Sequence, residues 1–192
     1  EYSCFSARQL NALVRRRNDF DFGKAYTLGI DGATSGDCYA IVAYQKRTDE
    51  KGKSYSCTKE WVFDTPDEDT GHYPLNQIMQ LVAGLCQKHW PEVVAIDPNR
   101  MIVMDSQLRD TYGIETTAFA QNNATMCQAT AIVQHLVKSK ELRLKKCPKL
   151  KQHLANCIEE DREPYGTRFG KDSKKRKIDA AIALAIASLA WD

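Results

Sequence analysis

The spacing of hydrophobic residues predicts three strands in the first third of the chain. In residues 25–31 every second position from Tyr26 to Ile30 is apolar, which is the period of a strand with one buried face. Two further apolar runs, residues 38–47 and 55–63, flank a polar turn. This pattern predicts an antiparallel meander that follows the first strand.

Later segments alternate between the helical period and short apolar runs. Apolar positions recur every three or four residues from Leu75 to Trp90, and residues 92–97 resemble a central parallel strand. The predicted order continues with a helix at 101–112, a strand at 114–119, a helix at 124–137, a short strand near Leu142, a helix at 148–160, a basic loop at 161–177 and a final helix. We therefore expect an α/β fold whose mixed central sheet, an antiparallel meander plus parallel strands, carries helices on both faces.

Size and composition favour one intracellular domain. The 192 residues, 43% of them hydrophobic, suffice for a single core. The longest uncharged apolar run, Ala180 to Trp191, is too short to cross a bilayer, and no signal sequence opens the chain. Seven cysteines without a CxxC pair favour reduced, mostly buried thiols. The histidines lack ligand spacing, so we interpret them as surface or packing residues: His72, His89, His135 and His153.

The charged residues are unevenly distributed, although the net charge is only +2. Residues 138–177 contain 14 Lys or Arg and 6 Asp or Glu, whereas residues 49–110 contain 6 basic and 11 acidic residues. This asymmetry favours a polyanion near one part of the fold and a function that requires carboxylates near another. A solvated basic face is the plain alternative.

Three aspartates are candidates for a metal site. Asp31 and Asp97 each end a predicted strand, so neighbouring strands would place their carboxylates side by side, where they repel each other. Asp179 opens the final helix, whose first turn could face the same edge. A divalent Mg²⁺ or Mn²⁺ would let several carboxylates remain ionised together. Taken singly, each aspartate also has a structural explanation as a turn residue or a partner of the helix dipole.

Three segments carry a resemblance to a known family. The sequences GIDGATSGDCYAIV, VVAIDPNR and KKRKIDAAIALAIA occupy residues 29–42, 93–100 and 174–187. They resemble, in order and with similar spacing, the acidic motifs of the nuclease domain of tailed-bacteriophage large terminases, a branch of the RNase H-like nucleases. The resemblance runs from Tyr26 to Trp191. One small departure is Ala180, where the family often has glycine.

The resemblance implies an RNase H-like fold and a metal-dependent endonuclease that cuts concatemeric double-stranded DNA with little sequence specificity. Asp31, Asp97 and Asp179 match acidic motif positions, and Asp37 matches a further aspartate often found in the first motif. By this resemblance two Mg²⁺ or Mn²⁺ ions, about 3.5 to 4 Å apart, would flank the scissile phosphate. Asp31 would bridge both ions, Asp97 and Asp179 would each complete one side, and Asp37 is the less certain ligand.

The same resemblance implies a domain organisation and partners. We expect residues 1–24 to be a linker helix left from an absent ATPase domain and residues 25–192 to be the nuclease domain. No GxxxxGK[ST] phosphate loop occurs, so we expect no ATPase activity from this chain. The intact protein would assemble with a portal and a small terminase subunit in the cytoplasm of an infected bacterium, without a membrane. The isolated domain is expected to be monomeric.

The basic loop at 161–177 is the candidate DNA contact. Its glycines and charges suggest that it does not pack and is mobile without DNA. We expect non-specific, salt-dependent phosphate contacts from a cluster of cations: Lys171, Lys174, Lys175, Arg176 and Lys177. A solubilising or nuclear-localisation-like run is the alternative.

Other functions remain open at the level of sequence. GIDGATSG also resembles the phosphate-binding turn of sugar kinases and actin-like ATPases, but their second glycine-rich loop is missing from this sequence. Holliday-junction resolvases and transposases use a similar acidic cluster. A catalytically inactive DNA-binding or scaffold module of the same fold is the third possibility. Metal binding would separate such a module from an active nuclease.

Overall fold

The computed structural model describes residues 3–32 and 38–192. Seven strands are present in the described residues: β1 (Thr27–Asp31), β2 (Tyr39–Thr48), β3 (Ser54–Phe63), β4 (Val93–Ile96), β5 (Thr117–Ala118), β6 (Ile158–Asp161) and β7 (Thr167–Gly170). Six helices accompany them: α1 (Ala7–Val14), α2 (Leu75–His89), α3 (Ile102–Tyr112), α4 (Asn123–Lys138), α5 (Pro148–Ala155) and α6 (Asp179–Leu189).

Five strands form one mixed sheet in the order β3-β2-β1-β4-β5. The β1–β2 and β2–β3 pairs are antiparallel, whereas β4 is parallel to both β1 and β5. The predicted meander and the predicted parallel strands are therefore confirmed. β1 and β4 are neighbours at the centre of the sheet, with Ile30 opposite Ile96, and so their carboxyl ends lie at the same edge.

Helices cover both faces of the sheet, as the sequence predicts. On one face Leu28 and Ile30 of β1 pack with apolar residues of α2 and α3. On the other face α6 packs over β2 and β4, and α4 packs against α6, around a second cluster that includes Val42 and Ala95. The alternation seen in residues 25–31 follows from this arrangement, because successive side chains of β1 enter different cores.

Close packing between α6 and β1 depends on small residues. A Cβ atom on Gly29 would lie 2.0 Å from the backbone oxygen of Ala183 and 2.9 Å from the Cβ of Ala187. Helix α6 is buried along nearly its whole length, because its alanines allow the helix to approach the sheet. Thr27 fixes the same contact, since its hydroxyl donates to the Ala187 carbonyl at 2.6 Å.

Three sequence predictions require correction in the second half of the chain. The helix predicted to reach Glu160 ends at Ala155, and residues 158–161 form β6. The strand predicted at 114–119 is reduced to the two residues of β5, and the segment near Leu142 contributes one isolated bridge to Ser56. The first of these differences has a tertiary cause: β6 pairs with β7, which propensity along a single segment does not reveal.

The predicted unpacked loop at 161–177 is also partly wrong. Its residues Thr167–Gly170 form β7, whose Phe169 is 1% exposed. The Phe169 backbone N–H donates to Thr130 Oγ1 of α4 at 3.1 Å, and its ring meets Phe5 edge to face. The glycines and charges thus flank a buried aromatic residue: residues 167–170 are packed, whereas residues 161–166 are exposed.

The opening helix packs against the rest of the fold. Ser6 and Gln9 form a capping box that starts α1, and Leu10 and Leu13 enter the core beside α4 and α5. All seven cysteines are free thiols and six of them are buried, as predicted. In the described part of the chain, every helix is too short or too polar to span a membrane.

Candidate metal centre

Two aspartates lie at the carboxyl ends of the central parallel strands. Asp31 is the last residue of β1, and Asp97 directly follows β4. Because Ile30 and Ile96 are opposite each other in the parallel register, the two aspartates that follow them are neighbours at this edge. Their exposed fractions are only 1% and 2%, so both carboxylates are almost entirely withdrawn from bulk water.

The third aspartate reaches the same region from α6. Asp179 is the first residue of that helix and is 3% exposed. Because α6 packs on β1 through Gly29, the start of the helix is held beside the end of the strand. Asp31 and Asp179 line one cleft of about 160 Å³. The structure therefore brings the three predicted aspartates to one edge of the sheet.

Burial and mutual repulsion shape the electrostatics of this edge. Desolvation raises the pKa of Asp31 from 3.8 to about 8, and the charges of Asp179 and Asp97 add to the rise. Arg100 and a hydrogen bond from Gln121 act in the opposite direction without cancelling it. A concentration of negative charge that the protein itself neutralises only in part is an environment in which a cation binds favourably.

Each carboxylate is held by a neighbouring donor. Gln121 Nε2 donates to Asp31 Oδ1 at 2.7 Å, and the Cys38 thiol donates to Asp179 Oδ2 at 3.1 Å. Asp97 Oδ1 accepts the Asn99 backbone N–H at 3.0 Å. The turn role expected for Asp97 is thus present, and one oxygen of that carboxylate is engaged in it.

Cationic side chains surround the cleft. Arg100, Arg168 and Lys171 line it together with Asp31 and Asp179. The Arg168 Nη1 donates to Asn123 at 3.3 Å, whereas its Nε is buried without a hydrogen-bond partner among the described residues. An unsatisfied buried donor is costly, so this guanidinium has capacity for a further anionic acceptor.

The predicted DNA-binding cations fall into two groups. Lys171 lines the cleft, and Lys177 is half-buried directly before α6. Lys174, Lys175 and Arg176 follow Lys171 in the chain and are exposed, and Arg176 pairs with Asp172 at 3.2 Å. Asp37, the less certain ligand, lies outside the described residues.

Several site residues were missed by sequence reasoning. Gln121 follows β5, the third parallel strand, and its position after a strand end is the signal that could have identified it. Arg168 lies in the segment 161–177, for which the sequence predicts an unpacked loop. His153 was interpreted as a packing or surface residue, and it is indeed buried; its Nδ1 accepts the Ala180 N–H at 2.9 Å, next to Asp179. No local spacing links His153 to the aspartates.

The donor set fits a hard divalent cation. Three carboxylates converge on one edge, and oxygen ligands are those that Mg²⁺ and Mn²⁺ prefer. The raised pKa of Asp31 also favours a bound cation, because a cation would relieve the repulsion that disfavours the charged form of this carboxyl.

Sequence comparison identifies the family to which this arrangement belongs. The family model described as the endonuclease domain of the terminase large subunit matches residues 40–191. The chain therefore belongs to the family of terminase large subunit endonuclease domains. No curated protein sequence matches the chain significantly.

Solved structures share the fold. The HK97 bacteriophage large terminase superposes with a TM-score of 0.77 at 14% identity, over 98% of this chain and 43% of that one. The large terminase nuclease of thermophilic phage G20c with bound magnesium gives 0.65 at 16% identity, covering 97% and 96% of the two chains. The bacteriophage SPP1 large terminase nuclease domain with bound Mn gives 0.56 at 10% identity, covering 100% and 95%.

These likenesses confirm the RNase H-like fold class. The chain spans less than half the length of the HK97 large terminase and nearly the whole length of the isolated nuclease domains.

Proposed function

We propose that this chain is a metal-dependent endonuclease domain that hydrolyses phosphodiester bonds of double-stranded DNA. The observation that carries the proposal is the convergence of three buried carboxylates at one edge of the sheet. Family membership supports the reaction class. A scaffold that only binds DNA has no physical reason to keep three desolvated carboxylates together, because their repulsion destabilises the fold.

Asp31, Asp97 and Asp179 would hold two Mg²⁺ or Mn²⁺ ions, with Asp37 as a further candidate ligand. Asp31 is assigned to both ions, since its pKa responds to the charges of both Asp179 and Asp97. When bound, such ions supply a water of lowered pKa and stabilise the charge on the leaving oxygen. Magnesium and Mn in the G20c and SPP1 nuclease structures support the choice of ion.

The protein itself orients this chemistry. Gln121 fixes one oxygen of Asp31, Asn99 fixes one oxygen of Asp97, and Cys38 fixes one oxygen of Asp179. With these oxygens engaged, each carboxylate presents its remaining oxygen in a limited set of directions. The packing of α6 on Gly29 holds the third carboxylate against the first two.

DNA would approach from the side of the cleft cations. Arg100 and Arg168, which line the cleft, are assigned to phosphate oxygens next to the scissile bond. Lys171, Lys174, Lys175, Arg176 and Lys177 would contact the flanking backbone. Such contacts are electrostatic and carry no sequence information, so we expect salt-dependent binding with little sequence preference.

In the intact protein this domain would be joined through the residues before 25 to an ATPase domain, and the assembly would act with a portal and a small terminase subunit in the host cytoplasm. The HK97 likeness, which covers 43% of a longer terminase, supports a chain with further domains.

Plasmid cutting tests the proposal. Supercoiled DNA should be nicked and linearised in Mn²⁺ or Mg²⁺ and remain intact in EDTA. Asp97→Asn should abolish cutting, because the amide removes the charge but keeps the shape. Asp110→Asn, an exposed aspartate of α3, should cut at the wild-type rate. Intact plasmid with every metal, from a folded wild-type protein, would instead favour an inactive DNA-binding module.

A further inference from the structure

The side chains of Cys38 and His153 lie next to Asp179, and the three differ in chemistry. One ligand atom each from Cys38, His153 and Asp179 lies within 4.8 Å of the other two, and all three residues are buried. They come from separate parts of the chain: Cys38 precedes β2, His153 belongs to α5 and Asp179 opens α6. Among the described residues this is the one group of three Cys, His, Asp or Glu residues with such spacing.

The ligand types differ from those of the aspartate edge, the sheet edge formed by Asp31, Asp97 and Asp179. A thiolate, an imidazole and a carboxylate form a set that Zn²⁺ and Co²⁺ bind, whereas Mg²⁺ prefers oxygen alone. Three protein ligands are also the number found in zinc sites that keep a fourth position for water. Asp179 lines the cleft, so this group has one member on a surface that ions can reach.

We propose that Cys38, His153 and Asp179 form a binding site for a borderline-soft divalent cation of the Zn²⁺ class. Binding forms a metal–sulfur bond and breaks the S–H bond of Cys38, whose proton passes to solvent; no group is oxidised or reduced. The thiol now donates to Asp179 at 3.1 Å, so its sulfur already faces the carboxylate with which it would share the ion.

His153 would contribute its Nδ1 lone pair. That atom accepts the Ala180 N–H at 2.9 Å, at the first turn of α6, and the ion would replace this hydrogen bond. The exchange leaves one helix N–H without its partner. Two metal–ligand bonds from nitrogen and sulfur compensate for that loss, since a thiolate and an imidazole together bind Zn²⁺ far more strongly than one hydrogen bond stabilises a helix end.

The site has a regulatory consequence that rests on the proposed nuclease function. Asp179 belongs both to this group and to the aspartates assigned to Mg²⁺ or Mn²⁺. An ion held by Cys38 and His153 withdraws Asp179 from the hard cations. Zn²⁺ therefore inhibits cutting by occupying a site of its own.

The first test measures the cation alone, with Co²⁺ as the probe on the 192-residue chain. We expect a near-ultraviolet thiolate-to-cobalt band that saturates at one ion per chain. Cys38→Ser should lose the band, whereas Cys86→Ser, a buried cysteine of α2 on the opposite face of the sheet, should keep it. A wild-type spectrum without the band, or a band that persists in Cys38→Ser, would overturn the site.

A second variant guards against misfolding of the first. His153→Gln should weaken Co²⁺ binding by at least about tenfold, the loss typical of a disturbed metal ligand set. Circular dichroism without metal identifies the folded variants. Wild-type Co²⁺ affinity in a folded His153→Gln protein would remove His153 from the site.

The regulatory consequence has its own readout. In Mn²⁺, Zn²⁺ should inhibit wild-type plasmid cutting, and the half-inhibiting concentration should rise about tenfold or more in Cys38→Ser, with each rate divided by that variant's zinc-free rate. Equal zinc sensitivity would overturn inhibition through this site. A wild-type protein with the cobalt band but no Mn²⁺ cutting would overturn the nuclease assignment and support the cation site.

Discussion

The aspartate edge and the basic segment, residues 171–177, are adjacent in space but are built differently. The aspartates end strands or begin a helix and are at most 3% exposed. The basic segment has no strand or helix, and most of its cations are exposed. A site fixed by packing should respond to substitution in an all-or-none manner, whereas an exposed run of charges should respond by small, nearly additive steps.

The largest difference between the two regions should appear in activity. Asp31→Asn removes the carboxylate assigned to both ions, so the cutting rate should fall by at least about a hundredfold, since metal stabilisation of a transition state is worth several kcal/mol. Single-turnover cutting of a linear duplex would measure the loss. Asp161→Asn, which changes an exposed aspartate at the end of β6, should retain the wild-type rate. An equal loss there would show that the effect of Asp31→Asn is not specific to the buried aspartates.

The packing that positions Asp179 can be broken without touching a carboxylate. Gly29→Ala forces a Cβ against the Ala183 backbone oxygen, where it would lie at 2.0 Å, so the free energy of unfolding should fall by about 3 kcal/mol. Urea denaturation followed by circular dichroism would measure it.

Gly84→Ala is the matched control for that substitution. The exposed Gly84 lies in α2, and a Cβ added there would have no atom within 4 Å, so alanine should stabilise the helix by up to about 1 kcal/mol. Comparable destabilisation by both substitutions would show that the close approach of α6 to β1 is not the cause.

The central sheet and the β6–β7 hairpin also differ in how far the sequence alone predicts them. Register and strand ends follow from periodicity, so the meeting of Asp31 and Asp97 could be predicted before the structure. The β6–β7 hairpin could not, because it depends on Phe169 reaching Thr130 of α4. For the same reason Cys38 and His153 carry no local signal: only the packing of α5 and α6 brings them to Asp179.

The pH dependence of stability should distinguish the edge from the rest of the molecule. The pKa of Asp31 is raised from 3.8 to about 8 in the folded protein, so its contribution is fully present below the unfolded value and is lost as pH rises towards 8. In EDTA the melting temperature should therefore fall between about pH 5 and 8, by roughly 2–4 °C for each kcal/mol lost.

Two comparisons check that assignment. Asp31→Asn should flatten the pH profile in EDTA, and Mn²⁺ should raise the wild-type melting temperature most at the alkaline end. A wild-type profile that stays level in EDTA would contradict the raised pKa of Asp31.

The smallest single effects should come from the basic segment. Replacing Lys174, Lys175 and Arg176 together by glutamine should reduce the slope of log affinity against log salt by up to about 3, roughly 0.9 for each lost phosphate contact. Fluorescence anisotropy with a labelled duplex in EDTA measures this slope without cutting. Lys51→Gln with Lys53→Gln, in the exposed turn between β2 and β3, should leave the slope unchanged. Equal changes in both variants would indicate a general charge effect.

Anomalous diffraction from crystals grown with Mn²⁺ would test the central claim most directly. Metal held by the aspartate edge should give anomalous peaks in contact with Asp31, Asp97 and Asp179, with Asp31 shared between two ions. Crystals of Asp97→Asn should lose at least one peak. Well-ordered wild-type carboxylates without any peak at saturating Mn²⁺ would contradict the account.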